Sequence, residues 1–240
     1  MDSDKTTKTT KFYSIAIDGP SGAGKSTLAK SLAKKLGVLY LDTGALYRTV
    51  GLYVFLAGVG GGETQKIEEL VESGGIAIEV AYERGEQRVY LNGSDVSERI
   101  RENFVSGYAS DVSKIPKVRE FLLKTQKEAA EKNNIIMDGR DIGTVILPDA
   151  DVKIFLTAPP EVRAQRRCRE LGQRGEKVDY DAVLCDIIAR DAQDSSREAA
   201  PLKAAGDAVV LDNAACSSPD DTLNRAVGIV KERLPYVCIR

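Results

Sequence analysis

Short apolar runs alternate along this chain with longer stretches of three-and-four periodicity. Phe12 to Asp18 is a run with β-branched content and predicts a buried strand. After a glycine-rich turn, Leu28, Leu32 and Leu36 recur every four residues and predict a helix from Lys25 to Leu36. Gly37 then stands where helices accept a left-handed residue. Val38 to Asp42 predicts a second strand, with Thr43 expected as the N-cap of a helix carrying Ala45, Leu46, Tyr47 and Arg48. Farther on, the pattern predicts a helix from about Lys117 to Lys132 and strands at Ile135 to Asp138, Val152 to Leu156 and Ala208 to Asp212. Five apolar strands separated by helical stretches imply an α/β fold, a five-stranded parallel sheet with helices on both faces.

Two stretches break this rhythm. Between Gly74 and Asn92, the alternation of Ile76, Ile78 and Val80, the turn Glu83-Arg84-Gly85-Glu86 and the run Val89-Tyr90-Leu91 before Asn92-Gly93 predict a small antiparallel hairpin insertion. From Glu161 to Gly175 the chain is dense in arginine and is expected to run as a helix into an exposed loop. The polar opening, residues 1–11, is expected to be a disordered leader, and residues 12–240 one domain. No internal repeat or low-complexity tract interrupts it.

Composition narrows the chemistry. With 34 Lys and Arg against 36 Asp and Glu, the net charge is −2, so no global basic field draws in nucleic acid or anionic lipid, and anion binding must be local. There is no histidine, which removes imidazole bases and His-ligated metals. The four cysteines, Cys168, Cys185, Cys216 and Cys238, form no C-x-x-C pair and are expected to be reduced thiols in a cytoplasmic protein. No apolar run approaches the roughly 18 residues of a membrane span.

The run Gly19-Pro20-Ser21-Gly22-Ala23-Gly24-Lys25-Ser26, followed by Thr27, matches the phosphate-loop pattern G-x-x-x-x-G-K-[ST]. It sits between a predicted strand and a predicted helix, the setting the pattern requires. Glycines let successive N–H groups turn inward to phosphate oxygens, and the helix start adds its positive end. Lys25 would reach the β- and γ-phosphates of a nucleoside triphosphate, and the Ser26 hydroxyl would help hold Mg²⁺. Asp138, ending an apolar strand, is the expected carboxylate for the metal's water shell.

Five segments in order then resemble bacterial cytidylate kinase: Asp18 to Ser26, Leu41 to Arg48, Met137 to Thr144, Val152 to Leu156 and Arg190 to Arg197, supported by Asp95-Val-Ser97, Ile100-Arg101 and Val118-Arg119-Glu120. The resemblance spans roughly Phe12 to Asp212. The runs Asp-Gly-Arg-Asp-Ile-Gly-Thr and Asp-Thr-Gly-Ala-Leu-Tyr-Arg are its specific part. It implies ATP-dependent phosphorylation of CMP or dCMP by a monomer, a nucleotide-binding excursion over about 43–115 and an Arg-rich lid over about 161–178. Residue by residue it implies that Thr43, Arg48 and Arg140 hold the acceptor phosphate, that Ser110, Arg119 and Asp141 hold the cytosine, and that Arg190, Asp194 and Arg197 contact ribose and phosphate.

The spacing of Arg190, Asp194 and Arg197 places them on one helix face, with Val183, Leu184, Ile187 and Ile188 as the apolar set behind. Arg163, Arg166, Arg167, Arg169 and Arg174 are all lid candidates; Arg163, Arg167 and Arg174 are assigned the charge of the transferring phosphoryl group. Two positions depart from the resemblance. Ser26 stands where many bacterial members have Gly, and Gln193 where some have Arg, leaving one basic residue fewer near the acceptor.

Phosphoryl transfer is dominated by positioning and electrostatic stabilisation, and an anionic phosphate acceptor needs no strong base, in keeping with the absence of histidine. The competing readings are a kinase of the same architecture acting on UMP, AMP or shikimate, and a nucleotide-dependent switch. The first is disfavoured by the hairpin insertion and the absence of paired aspartates at Asp42-Thr43-Gly44. The second lacks both D-x-x-G and N-K-x-D.

Overall fold

The run of apolar residues after Tyr13 becomes β1 (Ser14–Asp18), whose alternate side chains feed two cores at once. Ile15 and Ile17 face one side of the sheet and Ala16 the other, all fully buried. The computed structural model describes residues 12–83 and 86–239. The expected disordered leader at 1–11 and the expected turn tip Arg84-Gly85 lie outside the described residues.

After the glycine-rich loop come α1 (Lys25–Leu36) and β2 (Leu39–Asp42). Gly37 closes α1 in the left-handed region at φ 68°, donating to the Ala33 carbonyl, as the sequence predicts. Then follow α2 (Thr43–Leu56) and α3 (Thr64–Glu72). An antiparallel unit is built from β3 (Ile78–Glu83), β4 (Glu86–Leu91) and β5 (Ser94–Asp95). The hairpin expected at 74–92 pairs Ile78 with Leu91 and Glu83 with Glu86. The short third strand returns through Asn92 and Gly93, both at positive φ.

The remaining elements are α4 (Asn103–Val112), α5 (Pro116–Lys132), β6 (Ile135–Gly139), β7 (Val152–Thr157), α6 (Pro160–Gln173), α7 (Tyr180–Ser195), β8 (Val209–Asp212) and α8 (Pro219–Arg233). The five long-sheet strands are parallel in the order β2-β6-β1-β7-β8. Helices cover both faces. Leu28 and Leu32 of α1 with Ala226 and Val230 of α8 pack on one, and Leu123, Ala129 and Ala130 of α5 with Ile142 and Ile146 pack on the other. A third cluster joins α2, α3 and α4 to Val89 and Leu91 of β4. No helix of the described residues is long and apolar enough to cross a membrane.

Two expectations are corrected. Thr43 is not the N-cap of α2 but its first residue. The cap is Asp42, whose backbone is extended and whose carboxylate accepts from the Ala45 N–H. The apolar face assigned to α7 is also narrower than expected. Ile187 is buried but Ile188 is 49% exposed, because α7 packs mainly against α6 and leaves that side open.

Candidate active site

Parallel strands deliver their C-terminal ends to one edge of the sheet, and the chemistry gathers there. At the end of β1 the loop 19–24 turns through three glycines at positive φ, Gly19, Gly22 and Gly24. Gly19 is irreplaceable on steric grounds, since a Cβ there would lie 1.9 Å from the Leu156 carbonyl oxygen. Gly24 leads into α1 with no side-chain cap, leaving the first-turn N–H groups for a ligand.

Lys25 is buried and donates through Nζ to the Pro20 carbonyl at 2.7 Å, folding back across the loop. Burial and the Arg140 guanidinium hold its pKa well below the usual lysine range, against the pull of Asp138, Asp18 and Asp194. An anion arriving at the loop restores the balance. Ser26 Oγ donates to Asp138 Oδ2 at 2.8 Å, and Tyr40 OH to Asp138 Oδ1 at 2.8 Å. Burial and the nearby Asp42 push the Asp138 carboxyl upward. The structure thus brings together Ser26 and Asp138, the two residues singled out for the metal, and adds Tyr40, which reaches across from β2 and of which the sequence gives no sign.

Beside the phosphate loop, the segment after β6 is fixed by Asp18. Its two carboxylate oxygens accept from the N–H groups of Ile142 and Gly143 at 2.8 and 2.7 Å. These start a π-helical turn, Ile142–Ile146, a local distortion found mostly at functional sites. Asp141, the residue before the turn, is thereby aimed at Arg119 of α5, with which it forms an ion pair; both are largely buried. Arg119 also donates to the Ser113 carbonyl at 3.3 Å and lies over the Tyr47 ring, 5.7 Å from its centroid. Thr43 Oγ1 donates to the Asp138 carbonyl at 2.7 Å, fastening α2 to the end of β6.

Helix α7 supplies the floor of this region. Asp194, 1% exposed, accepts from Arg140 Nε at 2.9 Å and pairs with Arg197. Arg197 lies past the end of α7, which stops at Ser195, so the expected helix face holds only Arg190 and Asp194; Arg197 curls back to the same carboxylate. Burial, with Arg140, Arg48 and Arg197 nearby, pushes the Arg190 guanidinium down to about 10. The Nε atoms of Arg190 and Arg197 are buried with no hydrogen-bond partner. Unsatisfied donors in a crowd of like charges favour an anion beside them. Ser110 Oγ accepts from Gln193 Nε2 at 2.6 Å.

The arginines of α6 divide. Arg163, 2% exposed, lies under the phosphate loop instead of on the outer face. It donates to the carbonyls of Ala158 (2.8 Å) and Ser21 (3.0 Å) and clasps both Asp191 oxygens, at 3.0 and 2.5 Å. A guanidinium with every edge engaged braces the loop and is not free to close over a substrate, so Arg163 is better described as a loop support than as a lid arginine. Arg167 pairs with Glu170 at 3.5 Å on an open stretch, and Arg174 follows the last residue of α6 in exposed surroundings. Arg166 and Arg169 instead line a cavity of about 400 Å³ with Gly22, Gly24, Thr27 and Asn213. Cys216 to Pro219, between β8 and α8, complete its wall. Asn213 is pinned between the loop and α8, donating to the Ala23 carbonyl and accepting from Thr222 Oγ1, each at 2.7 Å. No group of three or more acidic or cysteine residues suited to holding a metal occurs among the described residues.

The sequence pattern of the family described as Cytidylate kinase matches residues 15–232. A curated Cytidylate kinase of Caldicellulosiruptor saccharolyticus is 53% identical over 203 residues, covering 85% of this chain and 89% of its own length. The Cytidylate kinase of Thermosipho melanesiensis is 45% identical over 221 residues, covering 91% of this chain and 97% of its own. Among solved structures, an uncharacterized protein from Eubacterium ventriosum has a TM-score of 0.50 at 16% identity, covering 93% of this chain and all of that one, a likeness of fold alone.

Proposed function

The chain belongs to the cytidylate kinase family, and from that premise we propose that it transfers the γ-phosphoryl group of ATP to CMP and dCMP, giving the diphosphates. The observation that carries the acceptor reading is the cluster beside the phosphate loop. Arg190 and Arg197 hold buried, unpartnered Nε–H groups there, next to an Arg119–Asp141 pair suited to a pyrimidine edge.

In this reading Gly19 to Thr27 cradle the triphosphate, with Lys25 turning from the Pro20 carbonyl to the β- and γ-phosphates. The adenosine end occupies the cavity walled by Arg166, Asn213 and Cys216. Thr43, Arg48 and Arg140 hold the acceptor phosphate, joined by Arg190 and Arg197, while Asp194 accepts from the ribose. Asp141 accepts the N4 amino hydrogens of cytosine, Arg119 donates to N3 and O2, and Ser110 completes the edge. Uracil reverses that edge, placing a carbonyl against a carboxylate and an N–H against a guanidinium.

The oxygen donors present suit Mg²⁺: Ser26 Oγ, and Asp138 through water, would hold it beside the phosphates. When bound, it neutralises developing phosphate charge. The residues do the rest. They hold the acceptor oxygen in line, spread positive charge over the equatorial oxygens through Lys25 and the lid arginines Arg167 and Arg174, and exclude water when the excursion 43–115 and the lid over 161–178 close. Arg167 and Arg174 are the exposed lid members available to move inward; Arg163 positions the loop. We place this reaction in the cytoplasm, in pyrimidine nucleotide metabolism, carried out by a monomer.

The test is ADP release from MgATP with CMP, dCMP, UMP, AMP and shikimate offered separately. Rapid turnover with CMP and dCMP and little with UMP is expected. Faster turnover with UMP, AMP or shikimate would overturn the roles given to Ser110, Arg119 and Asp141.

A further inference from the structure

Gln193 has no task in the acceptor reading, yet its contacts give it one. It lies on α7 directly before Asp194 and three residues after Arg190, and its Nε2 donates to Ser110 Oγ on α4 at 2.6 Å. That bond joins helices whose paired residues are 83 positions apart. Ser110 is the near end of a chain of bonds to the base-facing pair. Ser113 Oγ donates to the Ser110 carbonyl at 2.8 Å, Arg119 donates to the Ser113 carbonyl, and Arg119 is paired with Asp141.

A serine hydroxyl left alone samples three rotamers and points its hydrogen freely, so it reads a base edge only if something else fixes it. The neighbours able to do so carry consequences. Arg190 and Arg197 already crowd one another, and a further cation at 193 would worsen that. A neutral amide fixes the oxygen without adding charge.

We propose that Gln193 is a positioning residue for the acceptor base: its bond to Ser110 Oγ sets the serine rotamer and holds α4 to α7 at the pyrimidine edge. This rests on the reading of Ser110 as a base contact.

The test is a double-mutant cycle on the full chain with steady-state kinetics. Gln193→Met keeps length and helix compatibility but removes the donor. It is expected to raise KM for CMP about fivefold and lower the CMP-to-UMP ratio of kcat/KM, with kcat and KM for ATP unchanged. Ser110→Ala is expected to have an effect of similar size, and the double variant to be no worse than Ser110→Ala alone, because the two groups act as one unit. Gln193→Asn, which keeps the amide but draws it back by one methylene, is expected to reproduce the Met result, showing that the bond to Ser110 and not a polar group at 193 is what matters. Wild-type KM for CMP in either Gln193 variant, or effects that multiply in the double variant, would overturn the proposal. A wild-type chain that fails to prefer CMP overturns the acceptor reading instead, and that result is read before any substitution is made.

Discussion

Asp141 is kept where its charge is costly. Burial pushes its carboxyl upward, and Arg119, Arg197 and Arg140 pull it back down. A group so balanced responds to small changes in its partner, which suits the proposed task of telling an amino group from a carbonyl. Asp141→Asn offers one acceptor and one donor where the carboxylate offers only acceptors. The expected outcome is a fall of about 100-fold in the CMP-to-UMP ratio of kcat/KM, checked with both acceptors at saturating MgATP. Arg119 then loses its partner while 11% exposed, so a lower melting temperature accompanies the change. Residues of this kind were legible only by resemblance. Lys25, Ser26 and Asp138 announce themselves by the loop pattern and a strand end. Gln193 and Asp191 do not, because what they touch lies 83 and 28 residues away and nothing local distinguishes them from solvated helix positions.

Elements were legible where hydrophobic pattern decides and illegible where a single long-range bond does. The long-sheet strands and α1 follow from apolar runs and periodicity. The last predicted element ends at Asp212, yet the tail beyond it carries recognisable helix signals: Ser218 capping α8, Asp220 and Asp221 in its first turn, Lys231 and Arg233 in its last, and Ala226, Val227 and Val230 buried. The π-helical turn could not be read, since it depends on Asp18, more than 120 residues earlier. That dependence is testable. Burial pushes the Asp18 carboxyl up to about 6, against the two backbone N–H groups that favour its ionised form. Above that value both oxygens accept. Below it, one becomes a hydroxyl facing an N–H. Amide protection at Ile142 and Gly143, measured by hydrogen exchange and corrected for intrinsic rate, is therefore expected to fall as pH drops through about 6. In Asp18→Asn it is expected to be low at every pH. Global stability from this group runs the other way. The folded chain binds the proton more tightly than the unfolded chain, so the group's contribution declines as pH rises from the model-peptide value of 3.8 to about 6. Loop order and overall stability thus separate in one titration.

At the scale of the whole molecule, α7 connects the phosphate loop to the arginine cluster proposed to hold the acceptor. Asp191 clasps Arg163, which supports the phosphate loop through the Ser21 carbonyl; Gln193 reaches α4; Asp194 holds Arg140 and Arg197. Strand order and this convergence of neighbouring α7 residues on separate elements are properties of the closed fold, and no window of sequence contains them. The Arg163–Asp191 pair is the connection to break. Removing one partner of a buried pair leaves the other charge uncompensated, at a cost of about 3–5 kcal/mol. For a chain of this size that lowers the melting temperature by roughly 10 °C. Asp191→Leu is expected to show that loss, together with a higher KM for ATP. The informative variant is Arg163→Met with Asp191→Leu, which replaces the pair by apolar side chains and recovers most of the lost stability. If the pair only holds the fold together, activity returns with the melting temperature. If it positions the loop relative to the acceptor site, the double variant melts near wild type while CMP stimulates ADP release far less than in the wild-type chain. The second outcome is expected, because Met cannot donate to the Ser21 and Ala158 carbonyls, and it is checked by ADP release with and without CMP beside a thermal melt.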